Sequence, residues 1–174
     1  MEKIKWRLSI KSGIELVEPN ENLCAAYLKK SENSLRAAAS LKDNREWEIS
    51  SSYYAMYFAL YAIMARIGIK CENHSCTIEF MKKYLSGHFT EEEQTLLKES
   101  MEARVDAQYY SDRPADEKLY RDMTSKAPRF LAKCREVIQK IKGTEMNSIR
   151  DELTGLKMQQ EKRQPAKAGS DTYV

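Results

Sequence analysis

From Tyr53 to Ala65 the chain reads Tyr-Tyr-Ala-Met-Tyr-Phe-Ala-Leu-Tyr-Ala-Ile-Met-Ala, with no charged side chain. The run shows no period-two alternation, and it continues a helical pattern that begins near Arg45. A helix over Arg45–Ile67 is therefore predicted, with Gly68 as its C-terminal cap. Its second half has no polar face. Such a helix must be covered on every side, either at the centre of a bundle or at a seam shared with a second copy of the chain. Small alanines among large aromatics let neighbouring helices approach closely. The run is too short and too rich in Tyr to span a bilayer.

The rest of the sequence supplies helices to cover it. Gly (6) and Pro (4) are few among 174 residues, which favours a few long elements over many short strands. Residues 1–19 read as an extended lead-in ending at Pro19. A first helix is predicted from Asn20 to Lys42, with Leu28, Leu35 and Ala39 on its apolar stripe and Asp43-Asn44 as the break. After Arg45–Ile67, a third helix spans His74–Leu85 with Ile78, Met81 and Leu85 inward. A fourth opens on the capping box Thr90–Glu93, carries Leu96, Leu97 and Met101, and reaches Gln108. A fifth starts at Pro114 and runs to Gly143 through Phe130, Cys134, Val137, Ile138 and Ile141, kinked or split at Pro128. The pattern gives an all-α bundle over residues 20–143. Residues 144–174 differ: Met146–Gln160 is expected as an exposed helix and Gln164–Val174 as a disordered tail. No strand pattern, internal repeat or Gly-rich phosphate loop is visible.

Charge and cysteine use bound the function classes. The net charge is +3, from 29 basic and 26 acidic residues, without the dense basic stretch usual in a strong nucleic-acid binder. Local patches made by the fold stay open. The start, Met-Glu-Lys-Ile-Lys-Trp, carries no secretory pattern, so a cytoplasmic location, no membrane and free thiols at Cys24, Cys71, Cys76 and Cys134 are expected.

Three segments together resemble one family. They are Ser51-Ser52-Tyr53-Tyr54-Ala55-Met56-Tyr57-Phe58-Ala59, then Asn73-His74-Ser75, then Arg104-Val105-Asp106-Ala107-Gln108-Tyr109. Their order and spacing are similar to HEPN domains, specifically the small prokaryotic set long catalogued as uncharacterised archaeal and bacterial proteins, over about residues 20–142. The resemblance implies an up-and-down bundle of four to five helices that forms a homodimer. It also implies a toxin–antitoxin-like pairing with a minimal nucleotidyltransferase, and binding of RNA or nucleotide. Active members are metal-independent ribonucleases in which an Arg is followed four to six residues on by a His. The Arg stabilises charge developing on phosphate, and the His is the acid/base. This chain departs from that motif. Tyr109 and Tyr110 stand where the His would be, and Tyr titrates near pH ~10. Ala107-Gln108-Tyr109 replaces a common Ala-Asp-Tyr, and Phe58 stands where the set tends to carry His. Binding is therefore expected ahead of cutting, with an active ribonuclease toxin and a non-catalytic interaction scaffold as the alternatives.

The candidate residues follow. Arg104 either holds a phosphate beside Tyr109 or ties the fourth helix to the fifth through Asp106 or Asp112. His74 is a displaced acid/base facing the same groove, or a helix-start residue bonded to backbone. Arg104, His74 and Tyr109 are thus the catalytic candidates, and Arg104, Tyr54, Ser51, Gln108 and Tyr110 the binding candidates. Ser51 and Ser52 are placed near a polar pocket. The tyrosines around Tyr54 stack bases, or more ordinarily pack the core. Cys71, His74 and Cys76 form a single Cys-x2-His-x-Cys cluster without a fourth ligand or second knuckle, so neither a metal nor a cofactor is expected.

Overall fold

The computed structural model describes residues 13–110, 112, 113 and 115–161. The expectations for Pro114, for the first twelve residues and for Gln164–Val174 lie outside the described residues. The elements in order are β1 (Ile14–Leu16), α1 (Glu21–Ser40), α2 (Arg45–Ile67), β2 (Ile69–Cys71), α3 (His74–Tyr84), α4 (Glu91–Tyr109), α5 (Glu117–Lys140) and α6 (Gly143–Glu161). Over the described residues the chain is an all-α bundle with one small two-stranded sheet.

Helix α2 is the spine, and it is buried within the single chain. Tyr53, Met56, Leu60, Ile63, Met64 and Ile67 are all fully enclosed. Each aliphatic side chain so buried stabilises the fold by roughly 1.5–3 kcal/mol relative to exposure. Both ends of α2 carry their own stop signals. The Asn44 side chain accepts from the Trp47 amide at 3.4 Å, and Gly68 takes the left-handed cap at φ 85°. α1, α4 and α5 pack against it.

The α1 contact shows how close the approach is. The residues that α1 buries are Cys24, Ser31 and Ala38, one every seven positions and all small. Ser31 Oγ donates to the Ala55 carbonyl of α2 at 2.6 Å. The expected stripe is thus corrected in phase: Leu28 and Leu35 flank the seam half-buried, and Ala39 is exposed. Small side chains form the line of nearest contact because backbones meet there, while the leucines fill the flanks.

Three further expectations are corrected. The lead-in and the loop after Gly68 contain strands: Ile14 pairs with Cys71 and Leu16 with Ile69, antiparallel. With three residues each, these strands are too short to show a period. Pro128 does not split the fifth helix, because α5 is continuous from Glu117 to Lys140, capped by Asp116. Pro128 lies on the exposed side, where the carbonyl it leaves without a helical donor can turn to water. Finally, the helix after residue 143 is not an exposed appendage. α6 buries Ile149, Leu153 and Leu156 in the main core. Its Arg150 Nη1 donates to the carbonyls of Val17 (2.7 Å), Ile67 (3.1 Å) and Gly68 (3.0 Å). One guanidinium thereby caps the end of α2 and the end of β1 together. Among the described residues no helix is long and apolar enough to cross a membrane.

Candidate functional site

The first half of α2 and the last turns of α4 lie side by side, running in opposite directions. Tyr54 meets Arg104 on one level. One turn further along each helix, Ser50 and Gln108 line a cleft. The N-terminus of α3 closes the other side of Tyr54 and brings in His74.

His74 is held from several directions. Asn73 caps α3, its Oδ1 accepting from the Cys76 amide at 3.2 Å and from Ser75 Oγ at 2.8 Å. This fixes where the helix, and hence His74, begins. The imidazole lies flat on Tyr57, with centroids 4.1 Å apart and planes 9° from parallel, and edge-on to Tyr54 at 6.1 Å and 82°. Tyr53 OH is 2.6 Å from Nδ1. Burial drives the Tyr53 phenol far above its usual range, so it keeps its proton. Burial first, and the Arg104 cation second, hold His74 below its ordinary value of 6.5. The ring therefore favours its neutral form at pH 7, with Nδ1 sharing one hydrogen bond with the Tyr53 hydroxyl. The backbone-bonded alternative for His74 gives way to a side-chain partner, Tyr53.

Arg104 Nη2 donates to Tyr54 OH at 2.5 Å, and the guanidinium lies 5.2 Å from the Tyr54 ring centre. Its Nε is buried without a protein acceptor. The alternative role at the helix junction is corrected here: Asp106 pairs instead with Arg113, at 3.7 Å, and the bond of Arg104 goes to α2. Arg104, Tyr54 and His74 thus form one cluster on three elements.

The other candidates divide. Gln108 and Tyr109 line a cleft of about 300 Å³ with Glu46, Trp47, Ser50 and Ala107. Tyr110 belongs to an adjoining cleft of about 200 Å³ with Arg45, Glu46 and Arg113. Ser51 lines neither cleft and Ser52 is buried in the bundle; Ser50 is the serine that reaches the cleft. Its Oγ is buried and has no partner. Sequence reasoning missed Ser50 and Trp47. The signal for Ser50 was its place four residues before Tyr54, on the same face of α2. Trp47 was legible as a lone aromatic set between Glu46 and Glu48 in an otherwise polar first turn. Tyr53 and Tyr57 are buried and pack against His74.

Cys71 and Cys76 are wholly buried, and burial pushes the Cys71 thiol up to about 11. The Nδ1 of His74 is already engaged by Tyr53. Among the described residues no three His, Cys, Asp or Glu side chains come together as metal ligands.

No curated protein matches the chain. A family model, that of the HEPN domain, matches residues 24–141, the span from α1 to the end of α5 that holds the whole Arg104 cluster. With more than half of its length covered by that match, the chain belongs to the HEPN domain family.

Proposed function

We propose that the chain is a HEPN module that binds RNA or nucleotide through the groove at Arg104, as one component of a toxin–antitoxin-like pair with a minimal nucleotidyltransferase, and that it works as a homodimer in the cytoplasm. The observation that carries the binding reading is the state of Arg104. One of its donors is spent on Tyr54, its buried Nε has no protein acceptor, and a cleft with polar and aromatic walls lies one turn further along α4. A guanidinium in that state suits a phosphate oxygen.

The ribonuclease reading has one observation in its favour, which is that His74 and Arg104 both contact Tyr54. Against it stand His74, half-buried and already engaged by Tyr53 at Nδ1, and Tyr109, which is exposed and stands apart from the Arg104 cluster. Incubating wild type and Arg104→Ala with single-stranded RNA tests both readings. Binding without cleavage by wild type, weakened at least tenfold in the variant, is expected. Cleavage that disappears in Arg104→Ala supports the toxin instead. Equal binding by both proteins removes Arg104 from the site. Co-purification with a small nucleotidyltransferase checks the pairing, and light scattering checks the homodimer.

A further inference from the structure

We infer that the cleft beside Arg104 is a subsite for a single unstacked nucleobase of a bound RNA strand, and that Glu46 makes it prefer guanine. The inference rests on the RNA-binding reading and deepens it by assigning base selectivity to residues outside the Arg104 cluster.

The aromatic walls come first. Among the described residues the large aromatic side chains left in solvent are Trp47 (56% exposed), Tyr109 (70%) and Tyr110 (44%). All three gather at the same end of the α2–α4 seam, and Trp47 and Tyr109 line one cleft from opposite helices. Every other large aromatic in the described chain is at least partly packed, so this grouping is not an overflow of the core. Exposed aromatics of this kind are the usual platform for single-stranded bases, which present an apolar face.

The polar groups on the walls decide which edge is read. Beside the aromatics, the cleft is lined by Glu46, Gln108 and the largely buried Ser50. Ser50 is 3% exposed and its Oγ is buried, so it shapes the wall while Glu46 and Gln108 carry the polar contacts. Among the described residues no Lys, Arg or His lies within ion-pair distance of Glu46, although Arg45, its neighbour, is engaged with Glu117 at 2.8 Å. A carboxylate accepts and never donates. It therefore favours a base edge that offers donors. Guanine offers a ring N–H and an amino group side by side, matching both carboxylate oxygens. Adenine and cytosine offer an amino group beside an acceptor. Uracil offers one N–H between two carbonyls, which a carboxylate repels. The cleft volume of about 300 Å³ is at the lower end of ordinary small-ligand sites, fitting one nucleoside rather than a stacked run. Arg104 lies about one helical turn, roughly 6 Å, along α4 from Gln108, within reach of the strand's phosphate.

The test measures binding of the full chain to short fluorescent oligoribonucleotides, uridine-only or carrying one central guanosine, with guanosine monophosphate as a separate arm. Wild type is expected to prefer the guanosine oligomer about tenfold. Glu46→Gln should abolish that preference while still binding the uridine oligomer, and Trp47→Ala should weaken the guanosine oligomer roughly tenfold or more. Arg104→Met should weaken all oligomers alike, which reports on the phosphate site alone. Wild type that binds both oligomers equally, or Glu46→Gln that keeps the preference, overturns the subsite and leaves the Arg104 reading standing. No binding by wild type in any arm overturns both. Guanosine monophosphate binding that depends on Glu46, with no gain from the strand, replaces RNA by a free nucleotide and overturns the assignment to a strand. If Trp47→Ala instead converts a dimer to a monomer in light scattering and leaves the base preference intact, the aromatic patch is a self-interface and the inference fails.

Discussion

Replacing Arg150 with Met removes the guanidinium that joins α6 to the rest of the bundle but keeps most of the apolar stem. The magnitude follows from its three bonds. Nη1 carries two hydrogens, so the carbonyls of Val17, Ile67 and Gly68 at 2.7, 3.1 and 3.0 Å share about two full interactions. Charge-assisted bonds contribute roughly 1.5–3 kcal/mol each where buried. Arg150 is half-exposed and the Val17 bond faces solvent, so the sum is discounted to about 2–3 kcal/mol. Ile149, Leu153 and Leu156 stay buried and hold α6 in place, so the helix should loosen rather than detach. At roughly 2–4 °C per kcal/mol for a chain of this length, the melting temperature should fall by about 5–10 °C. Hydrogen exchange should quicken most at Ile67–Cys71 and along α6. Gly68→Ala attacks the same point from the other side. Its new Cβ would lie 2.2 Å from Arg150 Nη1, 2.5 Å from the Val17 carbonyl and 2.8 Å from the Pro19 nitrogen, at a φ of +85°. It should destabilise at least as much, and Arg150→Met should rescue it only in part, because the backbone contacts remain. A melting temperature of Arg150→Met within about 1 °C of wild type would refute the reasoning.

Two other changes have definite signs. Pro128→Ala should stabilise the protein by about 1–3 kcal/mol in urea unfolding, since an exposed site inside a continuous helix regains a backbone donor. His74 binds its proton less readily folded than unfolded, so the unfolded chain protonates first on acidification. Its contribution is complete above the ordinary value of 6.5 and is lost as pH falls below it, so the urea midpoint of wild type should drop more than that of His74→Gln between about pH 7.5 and about pH 5.5; identical drops would contradict the burial and the Arg104 effect.

Particular residues explain what could be read in advance. α2 was legible to the residue because both ends carry chemical stops, Asn44 and Gly68, and because an uncharged run has one economical burial. The capping box at Thr90–Glu93 fixed the start of α4 in the same way. α1 was legible as a helix but not in phase, because its seam is made of Cys24, Ser31 and Ala38 and hydrophobicity alone ranks the flanking leucines above them. The strands were hidden by their length, and α6 by its mostly polar composition, in which only Ile149, Leu153 and Leu156 reach the core. At the site, the segments quoted for the family resemblance held Arg104, Tyr54 and His74, and the fold brings those three together. The cleft walls were not visible in the same way. Ser50 and Trp47 face Gln108 and Tyr109 only once α2 and α4 are laid antiparallel, and no local pattern states that pairing.

The account turns on a phosphate sitting at Arg104. NMR observation of the Arg104 Nε–H and the His74 ring during titration with a short single-stranded RNA tests this most directly. A phosphate there gives Nε the acceptor it lacks and offsets the Arg104 cation which, after burial, holds His74 down. The account predicts that the Nε–H signal moves downfield at saturation and that the His74 pKa rises toward its ordinary value of 6.5. Saturable RNA binding that leaves both signals unchanged would place the strand elsewhere and contradict the account.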